Sequence, residues 1–119
     1  VIAMGRKRLF DQKFWHGGRY PQSGVLTPQP LMRSGREGDG FVYVTTERDL
    51  AATYAATLPG SWLMEVEPVG DIEIDPESIL GTSFRCREAR VLRRYDLPRA
   101  EREARRKVMA GIGWDEGQR

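Results

Sequence analysis

One internal stretch of this 119-residue chain, Glu47 to Leu58, carries a helical pattern, and β-patterned segments lie on both sides of it. Leu50, Tyr54 and Leu58 recur at four-residue intervals with Ala51 and Ala55 beside them, which predicts a helix with one small, apolar face. Pro59-Gly60 stops it, and Thr46 before it suits an N-cap, with Asp49 three residues on. Phe41-Val42-Tyr43-Val44-Thr45 is a β-branched and aromatic run that feeds straight into the helix. Downstream, Ser61 to Glu67 and Asp71 to Ile74 alternate, and Ala89 to Leu92 offers a further strand. Upstream, Lys13 to Trp15 leads into His16-Gly17-Gly18 as a short strand ending in a turn, and Val25-Leu26 precedes two prolines that forbid a central strand. After Pro98, the four-residue spacing of Ala100, Ala104 and Val108 predicts an amphipathic helix that ends near Gly111. Strands, a central helix, strands again and a terminal helix make an α+β domain of five to six strands, not a parallel doubly wound one.

The length suits one domain over residues 1–119, with flexible ends at 1–10 and 112–119. No apolar run approaches the roughly 20 residues of a membrane span, and no signal-peptide pattern follows the basic Arg6-Lys7-Arg8, so a cytoplasmic protein is expected. One cysteine and one histidine are too few for an internal disulfide or a Cys/His zinc site, and no metal is expected. The Gly35 to Gly40 loop precedes a strand instead of opening a helix, which excludes a dinucleotide fingerprint, and no Gly-Lys-Ser/Thr occurs for a P-loop. Cys86 with His16 offers a nucleophile and a base, and Arg85, Arg87 and Arg90 would lower a thiol pKa, yet lone cysteines are mostly small buried hydrophobes. The segment from Arg85 to Lys107 holds the chain's charge asymmetry and suits either an anionic partner or a solvated, salt-bridged helix face.

The remaining constellation is His16-Gly17 at one strand end, Tyr43 in the next clear strand and Tyr54 eleven residues later on the helix. In this order the residues resemble the diphtheria-toxin-like branch of the ADP-ribosyltransferases, whose pattern ends with an acidic residue late in the chain. More narrowly, the chain is similar to the rifampicin ADP-ribosyltransferases in Trp15-His16-Gly17, Phe41 to Thr45, Leu50-Ala51-Ala52, Met64-Glu65-Val66-Glu67-Pro68-Val69-Gly70, Glu73-Ile74-Asp75-Pro76 and Ser83 to Glu88. These blocks extend over residues 14 to 92.

The resemblance implies a split β-sheet core, NAD+ as co-substrate, and transfer of ADP-ribose to an acceptor such as rifampicin, a protein or a nucleic acid. It gives His16 a ribose hydroxyl, Gly17 the nicotinamide carboxamide, and Tyr43 and Tyr54 the two faces of the cationic nicotinamide ring, where stacking and cation–π attraction add. Gly17 would allow a close backbone approach that a Cβ prevents. Asp75, from the Glu-x-Asp-Pro block, would stabilise the developing ribose cation, with Glu88 as its competitor. Asp75 before Pro76 equally reads as a turn former. Water in place of an acceptor would make the same residues an NAD+ glycohydrolase, and a non-catalytic basic module for nucleic acid or protein is the reading from another class.

Overall fold

The computed structural model describes residues 12–30 and 38–111. The ends expected to be flexible, at 1–10 and 112–119, and the first part of the Gly35 to Gly40 loop lie outside the described residues. In chain order the elements are β1 (Phe14–Gly18), β2 (Val25–Leu26), β3 (Val42–Thr45), α1 (Arg48–Thr57), β4 (Trp62–Ile74), β5 (Ser83–Tyr95) and α2 (Arg99–Gly111).

The five strands form one sheet in the order β2-β5-β3-β1-β4, and β4 also pairs with β5, so β1, β3, β5 and β4 bond around a closed circuit. Among the described residues every pairing is antiparallel and the strands number five, within the expected range of five to six. The two alternating stretches expected as separate strands are one bent strand, β4. Its register with β5 shifts between Val69 and Ile72, and Gly70 at φ 77° occupies the left-handed region that such a bulge requires. Likewise the run at Ala89 is the middle of β5, which starts at Ser83.

Alternation along the strands divides the core between two faces. Phe14, Val42, Val44, Met64, Val66, Phe84 and Cys86 pack within the circuit, with Phe14 edge-on to Phe84 at 5.6 Å. Trp15 and Leu63 point the other way, against Ala51, Ala52, Ala55 and Ala56 of α1. The buried face of α1 is therefore the alanine face, and Leu50 lies beside it in solvent. Glu47, not Thr46, takes the N-cap position and makes no side-chain cap bond; its N–H donates to Thr45 Oγ1 at 3.0 Å.

α2 has the expected limits and the opposite orientation. It buries no residue, and Ala100, Ala104 and Val108 face solvent, Val108 at 64% exposure. Arginines face inward instead. Arg102 donates to the carbonyls of Ala55 (2.9 Å), Ser61 (2.7 Å) and Leu97 (3.2 Å) and pairs with Asp96 at 3.0 Å. Arg106 donates to the Ala56 carbonyl at 2.9 Å, and Arg105 binds Glu101 at 2.9 Å and the Asp49 carboxylate at 3.2 Å. The last carbonyls of a helix have no partner within it, and α1 has no basic residue in its last turn, so α2 supplies the donors. These arginines are structural. We expect Arg102→Ala to cost about 2 kcal/mol, since several charge-assisted bonds to part-buried carbonyls are lost together. Arg102→Lys should recover little of it, because one ammonium cannot span acceptors on three segments. Urea midpoints of the two variants check this.

Candidate functional site

β1 runs beside β4 over all five of its residues but shares a single register pair with β3, Trp15 with Thr45. Toward Gly18 the imidazole of His16 bridges the two strands: Nδ1 lies 2.7 Å from the carbonyl oxygen of Tyr43. A carbonyl only accepts, so Nδ1 carries the proton, and in the neutral ring the lone pair is on Nε2. This is the tautomer that accepts from a hydroxyl group.

Gly17 faces the other side of β1, under α1. A Cβ built on it would lie 2.1 Å from the Ala51 carbonyl oxygen, 2.7 Å from the Ala55 nitrogen and 3.1 Å from the Tyr54 Cβ. Helix packing thus requires glycine here, independently of the ligand approach that the resemblance implies. At Gly18 a Cβ would instead meet the tip of His16, with Nε2 at 2.9 Å.

Tyr43 lies opposite Arg85 in the β3–β5 register, and Arg85 lies opposite Glu73 in the β5–β4 register. Arg85 Nε bonds Glu73 Oε1 at 2.5 Å, and its guanidinium covers the Phe41 ring at 4.2 Å, with Arg87 at 4.4 Å from the same ring. The Tyr43 hydroxyl donates to Asp39. Burial, then the bond to Asp39 and its charge, push the phenol up from 10.0 to about 12, against a lowering by Arg85 and with a smaller rise from the charge of Asp75. Asp39, Arg85 and Glu73 are the members of this group that the sequence does not single out. Arg85 meets Tyr43 only because β3 pairs with β5, and no local spacing reports that pairing.

Asp75 ends the hairpin between β4 and β5. Its Oδ1 accepts the Glu77 N–H at 2.9 Å, and its carbonyl accepts the Ser78 N–H at 3.0 Å. It is thus a turn former, and its charge also reaches Tyr43. Glu88 lies opposite Val69 and acts on Cys86; among the described residues no contact joins it to His16, Tyr43 or Asp75.

Cys86 is 1% exposed within the inner cluster, and its Sγ lies 3.7 Å from the Val42 carbonyl. Burial pushes the thiol up from 9.0 to about 11, which is the wrong direction for a nucleophile. The pairing of Cys86 with His16 as nucleophile and base is therefore set aside. Both raised groups bear on stability at alkaline pH. The unfolded chain loses these protons near pH 9.0 and 10.0, whereas the folded protein holds them to about 11 and 12. Their contribution is complete below pH 9 and declines as pH rises toward 12. We expect the urea midpoint to fall across that window, and Asp39→Asn to bring the Tyr43 phenol part of the way down, read by phenolate absorbance.

Among the described residues no group of three or more His, Cys, Asp or Glu side chains gathers, and no helix is long and apolar enough to cross a membrane. A shallow cavity of about 370 Å³ lies at α2, lined by Asp96, Leu97 and four residues of that helix, away from His16 and Tyr43. The structure thus brings His16 to the Tyr43 backbone and Gly17 to Tyr54, while the contacts of Asp75 are those of its own turn and of Ser83. No family model matches the chain, and no curated protein matches it.

Proposed function

We propose that this protein is a mono-ADP-ribosyltransferase that cleaves the nicotinamide–ribose bond of NAD+ and transfers ADP-ribose to an acceptor. The observation that carries the reading is the 2.7 Å bond from His16 Nδ1 to the Tyr43 carbonyl. It joins the histidine and the strand tyrosine of the motif directly, while the neighbouring Gly17 lies against Tyr54. Gly17 and Tyr54, 37 positions apart, lie against each other where α1 crosses β1, and the His16 ring meets the backbone of β3 from the opposite face of β1. The α+β fold with a closed antiparallel circuit is compatible with an ADP-ribosyltransferase-like core.

In this reading Tyr43 and Tyr54 grip the nicotinamide ring, whose positive charge favours π faces. Gly17 offers backbone groups to the carboxamide. His16, held in the Nδ1–H tautomer, accepts a ribose hydroxyl at Nε2 and fixes the sugar. The electron pair of the breaking C–N bond leaves with nicotinamide, which departs neutral. Asp75 stabilises the positive charge that develops on the ribose and takes the proton lost by the attacking acceptor.

Calorimetric titration with NAD+, followed by an assay for free nicotinamide on the same sample, tests the reading. Saturable binding with nicotinamide release is expected. Absence of binding at millimolar NAD+ overturns it, and release without any acceptor makes the activity an NAD+ glycohydrolase.

A further inference from the structure

Arg94 is held in an unusual way for a surface arginine. Its guanidinium carbon lies 4.2 Å from the centroid of the Tyr20 ring and 4.5 Å from that of Trp62, so an exposed cationic group rests against two aromatic rings. Unlike Arg85, Arg102 or Arg105, its side chain has no hydrogen bond or ion pair among the described residues. Contact with a ring engages the face of a guanidinium and leaves its edge, which carries all five N–H donors. The ordering entropy is already spent on the rings, so a bidentate anion meets a prepositioned fork.

The sheet aims this fork. Arg94 lies opposite Met64, and Met64 lies opposite His16, so His16, Met64 and Arg94 form one lateral row across β1, β4 and β5. Directly opposed residues share a face. Two strand spacings put the backbones of His16 and Arg94 about 10 Å apart. Tyr43 and Gly17 alternate to the other face, the one that α1 covers. The cation therefore stands on the side of His16 away from the residues assigned to nicotinamide. Nearby acidic groups are engaged elsewhere: Glu65 pairs with Lys13 and Asp96 with Arg102.

We propose that Arg94, held against Tyr20 and Trp62, binds a phosphate monoester of the acceptor, whether carried by a free nucleotide or by the end of a nucleic-acid strand. The acceptor role rests on the transferase reading above; phosphate binding by Arg94 does not. Of the acceptors that the resemblance implies, rifampicin, a protein or a nucleic acid, this favours a phosphate-bearing one.

The test uses thymidine 5′-monophosphate with thymidine as control, and a short oligonucleotide with and without a 5′-phosphate, titrated in the absence and presence of saturating NAD+. Both phosphorylated probes should bind, both unphosphorylated ones about tenfold or more weaker, and Arg94→Gln should erase that difference. Tighter binding of the phosphorylated oligonucleotide than of the mononucleotide assigns the strand end, and equal binding assigns the free nucleotide. The Arg94 Nε–Hε resonance of the unaltered protein should shift saturably with thymidine monophosphate, a readout that does not depend on the variant folding. No phosphate preference, or one unchanged in a folded Arg94→Gln, overturns the proposal. Competition between thymidine monophosphate and NAD+ also overturns it, because the phosphate would then be that of the co-substrate. Since the first arm contains no NAD+, a failure of nicotinamide release leaves the phosphate site standing, and loss of the site leaves the NAD+ chemistry untouched.

Discussion

Gly17→Ala should destabilise the protein by about 3 kcal/mol, at the upper end of what overpacking costs and a large share of the stability of a small domain. The added methyl would sit 2.1 Å from the Ala51 carbonyl and 2.7 Å from the Ala55 nitrogen, and both are backbone atoms in the middle of a helix. Neither can rotate away. Relief requires α1 to lift from β1, which exposes Ala51, Ala52, Ala55 and Ala56 and withdraws Ala55 and Ala56 from the arginines of α2. Gly18→Ala is the matched control. Its methyl meets the end of the His16 ring at 2.9 Å, and a side chain yields where a helix backbone does not. The Gly18 variant should therefore melt within a few degrees of the unaltered protein and lose NAD+ affinity, because the imidazole is displaced from the Tyr43 carbonyl. Thermal melts and NAD+ titrations on both variants separate the two effects. Equal melting temperatures for the pair would mean that α1 does not rest on Gly17.

The helix, the strands around it and the limits of α2 are legible in the sequence because local rules specify them: alternation, four-residue spacing, and Pro59-Gly60 as a stop. Which face an element buries is not local, and there the sequence misleads. In α2 the apolar residues at four-residue spacing lie in solvent, because the groups that most need partners are the final carbonyls of α1, and arginine meets that need better than alanine. The same contacts change how the basic C-terminal segment reads. Arg102, Arg105 and Arg106 spend their donors inside the molecule, so a rival based on a free cationic helix loses its main residues. Of the candidate site, His16, Gly17, Tyr43 and Tyr54 are legible as residue types in order. The frame around Tyr43, formed by Asp39, Arg85 and Glu73, depends on the pairing of β3 with β5 and of β5 with β4, which no spacing in the chain encodes.

Asp75→Asn should lower kcat by about 10²- to 10³-fold while NAD+ binding and thermal stability stay close to those of the unaltered protein. The choice of asparagine follows from the geometry. Asp75 Oδ1 accepts the Glu77 N–H at 2.9 Å, and an amide oxygen accepts the same bond, so the turn between β4 and β5 survives. Only the charge is removed. Asp75→Ala would break the turn as well, and lost turnover could then come from a displaced hairpin. The charge is needed when the ribose becomes cationic, a demand absent from bound NAD+, so the loss belongs in kcat and not in binding. Glu88→Gln serves as the comparison. Its carboxylate acts on Cys86, and among the described residues it has no contact with His16, Tyr43 or Asp75, so turnover should be unchanged. If instead Glu88→Gln is inactive and Asp75→Asn is not, Asp75 keeps only the turn, and the acid must reach the ribose from the middle of β5.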